Sequence, residues 1–438
     1  MPKNLDLLQE KLHRAGLAPL RREAELHTCI LERRLALLPA LMRETGIDFW
    51  LILGAEYNED PIMRTFFTWD AVTARRTTAL MFWLPEGEQH VRAMTVGTRT
   101  PTLDRFFEAP GLPGESLWDS ITRVISACSP RRIAVNRSTA FGPCDGLTAT
   151  LESQLLACLP EGRATRVTSA ESLGIRWLES LSGPEIEALS AMCAVTHGII
   201  EDGFLRGHIV PGRTTTDDIE WRMREVIHAL GLSHWFGPDV DLQRRGNRVN
   251  LLAGAGSTRL SGVTVQRGDL LHCDIGFRCP FVGLHTDVQR IAYVPLPGEA
   301  APPRGLQGLL GQGNRFQDIV MAHMAPGKTG NAVFEAAVAQ AKAEGLSPML
   351  YTHPLGLFGH GCGPKIGGFD KQFATPGPGE LKLHEHSAFA LELNICGPLP
   401  EWDDQPVYIY LEEDIVLLPE GPQLLAGRQT ELVCVPIN

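Results

Sequence analysis

The sequence lacks any apolar run approaching the roughly 18 uninterrupted residues that a membrane-spanning helix needs, so we expect no membrane segment. The opening stretch MPKNLDLLQEKLHRAGL carries charges throughout and has no apolar signal core, which predicts a cytoplasmic protein. Net positive charge is also missing, because the formal net charge is −11. An acidic chain repels phosphate backbones, so nucleic acid is not an expected partner.

Paired cysteine motifs are absent as well. The ten cysteines are scattered and form no C-x-x-C pair, so a structural zinc knuckle is not indicated. Without a secretory signal we expect them to be mostly reduced and buried. The remaining composition, 44% apolar and 21% charged over 438 residues, is that of an ordinary globular protein with two or three domains.

The first half of the chain alternates helical and strand-like patterns, which predicts an α/β domain over residues 1–182. One helix is expected at 21–45, with a kink at Pro39. The other predicted elements are strands at 49–53, 78–84, 91–96 and 133–135, and helices at 117–128 and 147–158.

A domain boundary is predicted at Leu181–Glu185. Ser182 and Glu185 have capping-box spacing and Pro184 falls in the first turn, so a helix is expected over 184–206. The second domain is therefore predicted to span residues 183–438.

This second domain contains a faint internal repeat. Pro211-Gly212-Arg213-Thr214 and Pro326-Gly327-Lys328-Thr329 each precede a helical stretch, and these stretches end at Gly231 and Gly345. P-G is a common turn dipeptide, but the matching ends favour duplication over chance. We therefore expect internal pseudo-twofold symmetry in an α+β domain, with acidic strands around the axis.

Carboxylates interrupt the apolar strands of this domain. Residues 268–276 and 283–287 are predicted to form a hairpin with Pro280 in its turn, which would place Asp274 opposite Asp287 on one face. Two buried carboxylates that face each other repel, and a cation between them removes that cost. A single Asp at a strand end would need no such explanation.

Two further strands and a glycine-rich segment carry similar residues. Glu392 has apolar neighbours on both sides, and a buried unpaired Glu is costly in a strand. Glu412 lies in the strand-like run 408–418, where Glu413 and Asp414 are interpreted as a solvated face or turn. The segment His353-Pro-Leu-Gly-Leu-Phe-Gly-His360 has little helix propensity, and its glycines permit close approach to a ligand.

Together these patterns give four carboxylates and one imidazole. Oxygen-rich donors with one nitrogen suit Mn²⁺, Co²⁺ or Zn²⁺. Four carboxylates would overcompensate a single divalent ion, so two ions per chain are expected. The predicted metal ligands are Asp274, Asp287, His353, Glu392 and Glu412.

The ordered Asp, Asp, His, Glu, Glu set resembles that of the pita-bread metallopeptidase superfamily, which includes methionine aminopeptidase, aminopeptidase P, prolidase and creatinase. The resemblance is closest to aminopeptidase P and prolidase over residues 183–438, and residues 1–182 resemble the creatinase-type N-terminal domain. Leu411-Glu412-Glu413-Asp414-Ile415-Val416 resembles the family's closing I-E-D-D-I-V strand, which assigns the ligand role to Glu412. The resemblance implies that Asp287 and Glu412 bridge the two ions.

Four positions depart from the family pattern. Asp274 and Asp287 are slightly further apart than usual, and the His expected upstream of the G-D-L strand is missing from 255–259, where Arg259 is a candidate replacement. Cys396 stands where the family often has Tyr, and Tyr410 stands where aminopeptidase P-like members have Arg. The metal ligands are thus complete while the residues that contact substrate are altered.

The resemblance implies metal-assisted hydrolysis of the X-Pro bond of dipeptides or peptide N-termini. In that reaction the implied catalytic residues are Glu392, which moves a proton, and His360, which hydrogen-bonds the substrate or intermediate. A small peptide substrate and a homodimer are expected. Hydrolysis of a non-peptide C–N bond on the same fold remains open, as does a catalytically silent binding protein.

Overall fold

A computed structural model describes residues 4–247 and 262–437 of the chain. Nine α-helices lie in these residues: α1 Leu5–Arg14, α2 Leu20–Thr45, α3 Leu117–Cys128, α4 Ala149–Cys158, α5 Glu171–Glu179, α6 Gly183–Leu205, α7 Thr216–Ala229, α8 Arg304–His323 and α9 Gly330–Ala343. None of these described helices is both long enough and apolar enough to cross a membrane.

Sixteen strands lie in the same described residues. Those of the first half are β1 Phe49–Ala55, β2 Thr77–Trp83, β3 Arg92–Val96, β4 Ile133–Val135 and β5 Val167–Ser169. Those of the second half are β6 Ser233–His234, β7 Asp239–Gln243, β8 Leu270–Ile275, β9 Phe277–Arg278, β10 Val288–Tyr293, β11 Pro348–Leu355, β12 Ile366–Gly367, β13 Ser387–Leu399, β14 Gln405–Leu418, β15 Gly421–Leu424 and β16 Val433–Cys434.

Contacts divide the chain into two compact units, Leu20–Ser182 and a second unit made of Met1–Pro19 with Gly183–Asn438. Helix α1 belongs to the second unit because it packs on α6, where Asn4 Nδ2 donates to the Gly198 carbonyl at 3.1 Å. The limits predicted from the sequence, 1–182 and 183–438, stay a prediction. They share the 182/183 boundary with the contact-based units but assign residues 1–19 to the first domain.

The unit Leu20–Ser182 is an α/β domain built on a five-stranded sheet of order β3-β2-β1-β4-β5. Strands β1, β4 and β5 are parallel, while β2 and β3 run antiparallel to their neighbours. Helices α3 and α4 cover one face, where Ile121, Ile125 and Leu155 join the buried core. The predicted α2, β1 to β4, α3 and α4 are confirmed, whereas β5 and α5 were not predicted from the sequence.

The second unit is built on a large mixed sheet whose main path runs β12-β11-β13-β14-β10-β8-β7. Helices α6 and α7 pack against β10, β8 and β7, and helices α8 and α9 pack against β13, β14 and β11. The core between α8, α9 and the sheet includes Phe316, Phe389 and Leu411. Strand β14 lies between β10 and β13 and so joins the two parts of the sheet.

Helices α7 and α9 are the helices of the sequence repeat. Both have 14 residues, and each begins after a threonine cap, Thr215 for α7 and Thr329 for α9. Each is followed by a glycine with positive φ, Gly231 and Gly345, which ends the helix. The helix predicted at 184–206 is α6, Gly183–Leu205. The pseudo-twofold symmetry that the repeat suggests stays a prediction.

The predicted hairpin around Pro280 has a different register. Asp274 pairs with Gln289 rather than with Asp287, and β10 begins only at Val288. The connection between β8 and β10 contains β9, which pairs with β6 and so draws residues 277–278 away from the hairpin. Asp287 therefore lies just before β10, two residues before the residue that pairs with Asp274.

Candidate metal centre

The structure brings the five predicted ligands together on neighbouring strands of the large sheet. Asp274 lies near the end of β8 and Asp287 just before β10, while His353 is on β11, Glu392 on β13 and Glu412 on β14. Glu392 and Glu412 are direct cross-strand partners. Ligand atoms of Asp274, Asp287 and Glu412 lie within 4.8 Å of one another, as do those of His353, Glu392 and Glu412.

The imidazole of His353 faces three carboxylates. Its Nε2 atom lies 3.6 Å from Asp287 Oδ2, 3.7 Å from Glu412 Oε1 and 3.8 Å from Glu392 Oε2. His353 Nδ1 faces the carbonyl oxygen of Pro354 at 3.1 Å. An N–H at Nδ1 that donates to this carbonyl leaves the Nε2 lone pair directed at the carboxylates, which is the arrangement of a metal-binding histidine.

The raised pKa values of the four carboxyl groups indicate that a positive charge is needed to compensate them. Burial, followed by the neighbouring carboxylates, raises the pKa values of Asp274, Asp287 and Glu392 well above their usual range. Burial and then the charge of Asp414 raise the pKa of Glu412 to about 8. The cluster cannot hold four negative charges in this environment unless a cation compensates them.

Burial acts on His353 in the opposite sense and lowers its pKa to about 4. The imidazole is therefore neutral at pH 7 and does not supply the compensating charge. A neutral imidazole is, however, the form that binds a metal ion.

Three buried polar atoms at the centre have no hydrogen-bond partner among the described residues: His353 Nε2, Asp274 Oδ1 and Glu412 Oε1. Unpartnered buried polar atoms are rare because each costs about 1–3 kcal/mol. Two donors that bind one ion at about 2.1 Å each must lie within about 4.2 Å of each other, and the distances around His353 Nε2 meet this condition. The donor set therefore fits divalent metal ions by its chemistry, spacing and unpartnered atoms.

Two buried carboxylates beside Glu412 were misinterpreted from the sequence. Glu413 and Asp414 are buried, at 1% and 3% exposed, and do not form the solvated face or turn expected for them. Glu413 accepts a hydrogen bond from Arg290 Nη2 at 2.8 Å, and Asp414 accepts from the backbone N–H of Asp287 at 3.2 Å. They hold the backbone that carries Asp287 and Glu412, and their apolar neighbours were the signal for burial.

His360 lies in the loop after β11 and is exposed. Its ring centroid is 4.7 Å from that of His353 and 5.2 Å from that of Trp235. Partial burial of its ring, followed by the neighbouring His353 and Lys365, lowers its pKa to about 4, so the ring is neutral at pH 7. A ligand atom of His360 also comes within 4.8 Å of those of Asp287 and His353, so it can reach either a substrate or an ion.

Trp235 supports this loop. Its Nε1 donates to the Thr286 carbonyl at 2.8 Å. A Cβ atom at either Gly276 or Gly359 would overlap the indole, so both positions need glycine for this close approach. No signal in the sequence placed Trp235 at the site.

Gln289 and His272 also lie at the centre and were not predicted. Gln289 Nε2 lies 2.7 Å from Glu392 Oε1 and 3.1 Å from Glu412 Oε2, and Gln289 Oε1 lies 2.9 Å from His272 Nε2. For His272 a signal existed, because strand alternation places it on the same face as Asp274. Gln289 was not expected at the centre because the predicted hairpin placed Asp287, and not Gln289, opposite Asp274.

The positions that depart from the family pattern lie in part beside the centre. Tyr410 is buried, and its ring centroid is 5.3 Å from that of His272. Cys396 is half-buried on β13, opposite Tyr408 on β14. Residues 255–259, including Arg259, lie outside the described residues. All ten cysteines are described and none forms a disulfide, but only five are buried, fewer than expected.

Solved structures with similar folds span almost the whole chain. An X-Pro aminopeptidase from Thermotoga maritima has a TM-score of 0.65 at 17% identity, covering 90% of this chain and 100% of its own. An Xaa-Pro dipeptidase from Bacillus anthracis has a TM-score of 0.59 at 16% identity, covering 92% and 99%. The N-terminal domain of the FACT complex subunit SPT16 from chickpea, Cicer arietinum, has a TM-score of 0.57 at 12% identity, covering 93% and 99%. Among curated proteins, no sequence matches this chain.

The chain thus has an N-terminal α/β unit and a C-terminal mixed-sheet unit, and the mixed-sheet unit has the pita-bread metallopeptidase fold. The model of Metallopeptidase family M24 matches residues 187–419, more than half of the chain, and the chain belongs to this family. The resemblance inferred from the sequence is thereby confirmed.

Proposed function

We propose that the protein is a metal-dependent hydrolase that cleaves an amide bond N-terminal to proline, in dipeptides or at peptide N-termini. The observation that carries this proposal is the convergence of five donors around unpartnered atoms of His353, Asp274 and Glu412. Solved structures of an X-Pro aminopeptidase and an Xaa-Pro dipeptidase share the fold, which supports the choice of substrate.

The proposed cofactor is a pair of divalent ions, Mn²⁺, Co²⁺ or Zn²⁺. Asp274, Asp287 and Glu412 would hold one of them, and Asp287, His353, Glu392 and Glu412 would hold the other, so that Asp287 and Glu412 are shared. When bound, such ions would supply Lewis acidity, which polarises the scissile carbonyl and eases the loss of a proton from the attacking water.

Glu392 is the proposed proton carrier. Its Oε1 accepts from Gln289 Nε2 at 2.7 Å, while Oε2 faces His353. The carboxylate is partly exposed, so a substrate can reach it. Burial and the charge of Glu412 raise its pKa, which favours proton uptake. Glu392 can therefore take a proton from the attacking water and pass it to the leaving nitrogen.

His360 is the proposed substrate contact. Its neutral ring is exposed and lies beside the rings of Trp235 and His353. A neutral imidazole has one N–H, which can donate to the carbonyl oxygen of the substrate as negative charge develops there. In this role His360 acts on the substrate and is not needed to hold an ion.

The test is hydrolysis by the purified full chain after reconstitution with each metal. X-Pro dipeptides and X-Pro-Y peptides are compared with X-Ala peptides. We expect chelator-sensitive cleavage before proline that Glu392→Gln abolishes. Glu335→Gln, in the exposed face of α9, is a matched control and should retain full activity. A fully metallated protein that cleaves no X-Pro peptide would reject this substrate class.

Hydrolysis of a non-peptide C–N bond is a second candidate. It is favoured by Tyr410, which packs against His272 at a position where the resemblance implies an arginine. A tyrosine removes a positive charge from the site and so alters recognition of a peptide. Small cyclic amides in the same screen distinguish the two substrates, and a metallated protein inactive on both classes would support a binding role.

A further inference from the structure

Helix α6 packs against β10 and β8 and carries three polar side chains, Cys193, Thr196 and His197, at a spacing of three and four residues. This spacing places them on one face of the helix. Cys193 and Thr196 are buried, at 1% and 0% exposed, and His197 is half-buried. Buried polar groups need hydrogen-bond partners, so the partners of these three residues show which segment this face of α6 holds in place.

The thiol of Cys193 is linked to a predicted metal ligand through one carboxylate. Cys193 Sγ donates to Asp414 Oδ2 at 2.9 Å. Oδ1 and Oδ2 of Asp414 both accept from the backbone N–H of Asp287, at 3.2 and 3.3 Å. Asp414 thus connects a residue of α6 to the backbone that carries a predicted metal ligand.

The other two polar residues of this face contact neighbours of Asp287. Thr196 Oγ1 lies 3.0 Å from Thr286 Oγ1. Burial and then the charge of Arg290 lower the pKa of His197 to about 3, so its ring is neutral, and Nε2 accepts from Arg290 Nη2 at 2.7 Å. One face of α6 therefore fixes the segment around Asp287 at three points.

The orientation of the Asp414 carboxylate depends on the thiol. Asp414 is 3% exposed, and among the described residues its carboxylate has two partners, the Cys193 thiol and the Asp287 N–H. Only the thiol comes from outside the ligand segment. Without the thiol, the carboxylate would be held by Asp287 alone and would be freer to rotate away from it.

We propose that Cys193 is a positioning residue for the metal centre. Its thiol orients Asp414, and Asp414 holds Asp287 in the place where two ions can share its carboxylate. This inference rests on the proposed metal centre, in which Asp287 binds both ions. Loss of a group that orients a metal ligand typically lowers metal affinity by about 10-fold to 100-fold.

The test is a titration of the metal-free full-length protein with Co²⁺, followed by calorimetry and by visible absorption. The visible bands of Co²⁺ depend on the geometry of its ligands, so they report a displaced Asp287 independently of activity. Cys193→Ala should weaken binding by about 10-fold or more and change these bands. Cys193→Ser restores a donor at the same position and should bind within about threefold of the wild type, with the same bands.

Two further variants separate positioning from packing. Cys193→Val fills the space of the thiol without a donor, so it should weaken Co²⁺ binding as Cys193→Ala does. Ser387→Ala is the matched control, because Ser387 is buried at the start of β13 and donates to the His384 carbonyl at 2.6 Å, outside the donor set. Its affinity and its bands should equal those of the wild type. Circular dichroism establishes that each variant is folded.

The outcomes distinguish this inference from the proposed function. Wild-type affinity and bands in both Cys193→Ala and Cys193→Val, or a Cys193→Ser variant that binds as weakly as Cys193→Ala, would overturn the role of the thiol. A sulfur-to-cobalt charge-transfer band that is lost in Cys193→Ser would also overturn it, because the thiol would then be a ligand. Binding of no ion by the wild type would instead reject the metal centre itself.

Discussion

Glu412→Gln should stabilise the metal-free protein, although it removes a predicted metal ligand. Glu412 is 1% exposed, and its pKa is raised to about 8. At pH 7 the folded chain must therefore take up a proton that the unfolded chain, with an ordinary pKa of 4.5, has released. This uptake costs about 3 kcal/mol at roughly 1.4 kcal/mol per pH unit. Glutamine has the same shape and avoids that cost.

With bound metal, the wild type should instead be more stable than Glu412→Gln. At a concentration one hundred times its dissociation constant, each ion stabilises the folded state by about 3 kcal/mol. The wild type should gain this stabilisation, whereas Glu412→Gln should lose most of it, because Glu412 is predicted to bind both ions. The free energy of unfolding is measured by chemical denaturation with EDTA and with Mn²⁺, following the transition of the unit that contains the large sheet.

The pH dependence of the free energy of unfolding provides a second test of the stabilisation by Glu412→Gln. A carboxyl with a raised folded pKa stabilises the fold most below its unfolded pKa, and that contribution is lost as the pH rises towards 8. The advantage of Glu412→Gln without metal should therefore be present at pH 7 and vanish near pH 4.5.

A carboxylate with a full set of partners provides the control. Asp269 is fully buried and is bound by Arg244 at 2.6 Å. Asp269→Asn in the same unit should destabilise the protein by about 1.5–3 kcal/mol, because it weakens the hydrogen bonds to the partly exposed guanidinium of Arg244. The reasoning fails if Glu412→Gln lowers the stability of the metal-free protein, or if it retains the full stabilisation by Mn²⁺.

Three further changes test other parts of the structure. His360→Asn should lower kcat by about 10²–10³ with metal content unchanged, and loss of an ion in elemental analysis would show that His360 is a ligand instead. Gln317→Met, on α8, should raise the free energy of unfolding by about 1–2 kcal/mol, because both amide atoms of Gln317 are buried without a partner among the described residues; a lower free energy of unfolding would contradict this. Gly359→Ala should displace Trp235, which would shift the tryptophan emission, and it should lower the activity. Its control is Gly311→Ala on the open face of α8, which should stabilise the folded protein by up to about 1 kcal/mol. An unchanged emission spectrum in Gly359→Ala would show that the indole does not need the glycine.

The strands and helices of the chain were largely predictable because their patterns are local. Apolar runs identified β13 and β14, and a carboxylate between apolar neighbours identified Glu392 as unusual. Strand β5, Val-Thr-Ser, was missed because it has only one apolar side chain, whereas the equally short β4, Ile-Ala-Val, is apolar throughout.

The arrangement around the donors was less predictable because it depends on register. The position of Gln289 beside Asp274 follows from the two-residue strand β9, which pairs outside the hairpin. Trp235 reaches the site through a loop that carries no periodic pattern. Glu413 and Asp414 show a related limit, because their burial depends on Arg290 and on the backbone of Asp287 as partners.

The central position of β14 has a consequence for the order in which the protein is made. Among the strands that carry predicted ligands, β14 is the last to be synthesised, yet it lies between β10 and β13. Until it emerges from the ribosome, these two strands present open edges that invite pairing with other chains. A nascent chain that ends before Glu412 has four donors on two unconnected sheet fragments. Capture of metal would therefore mark a chain whose synthesis has passed β14, and stalled chains would be both unmetallated and prone to aggregate.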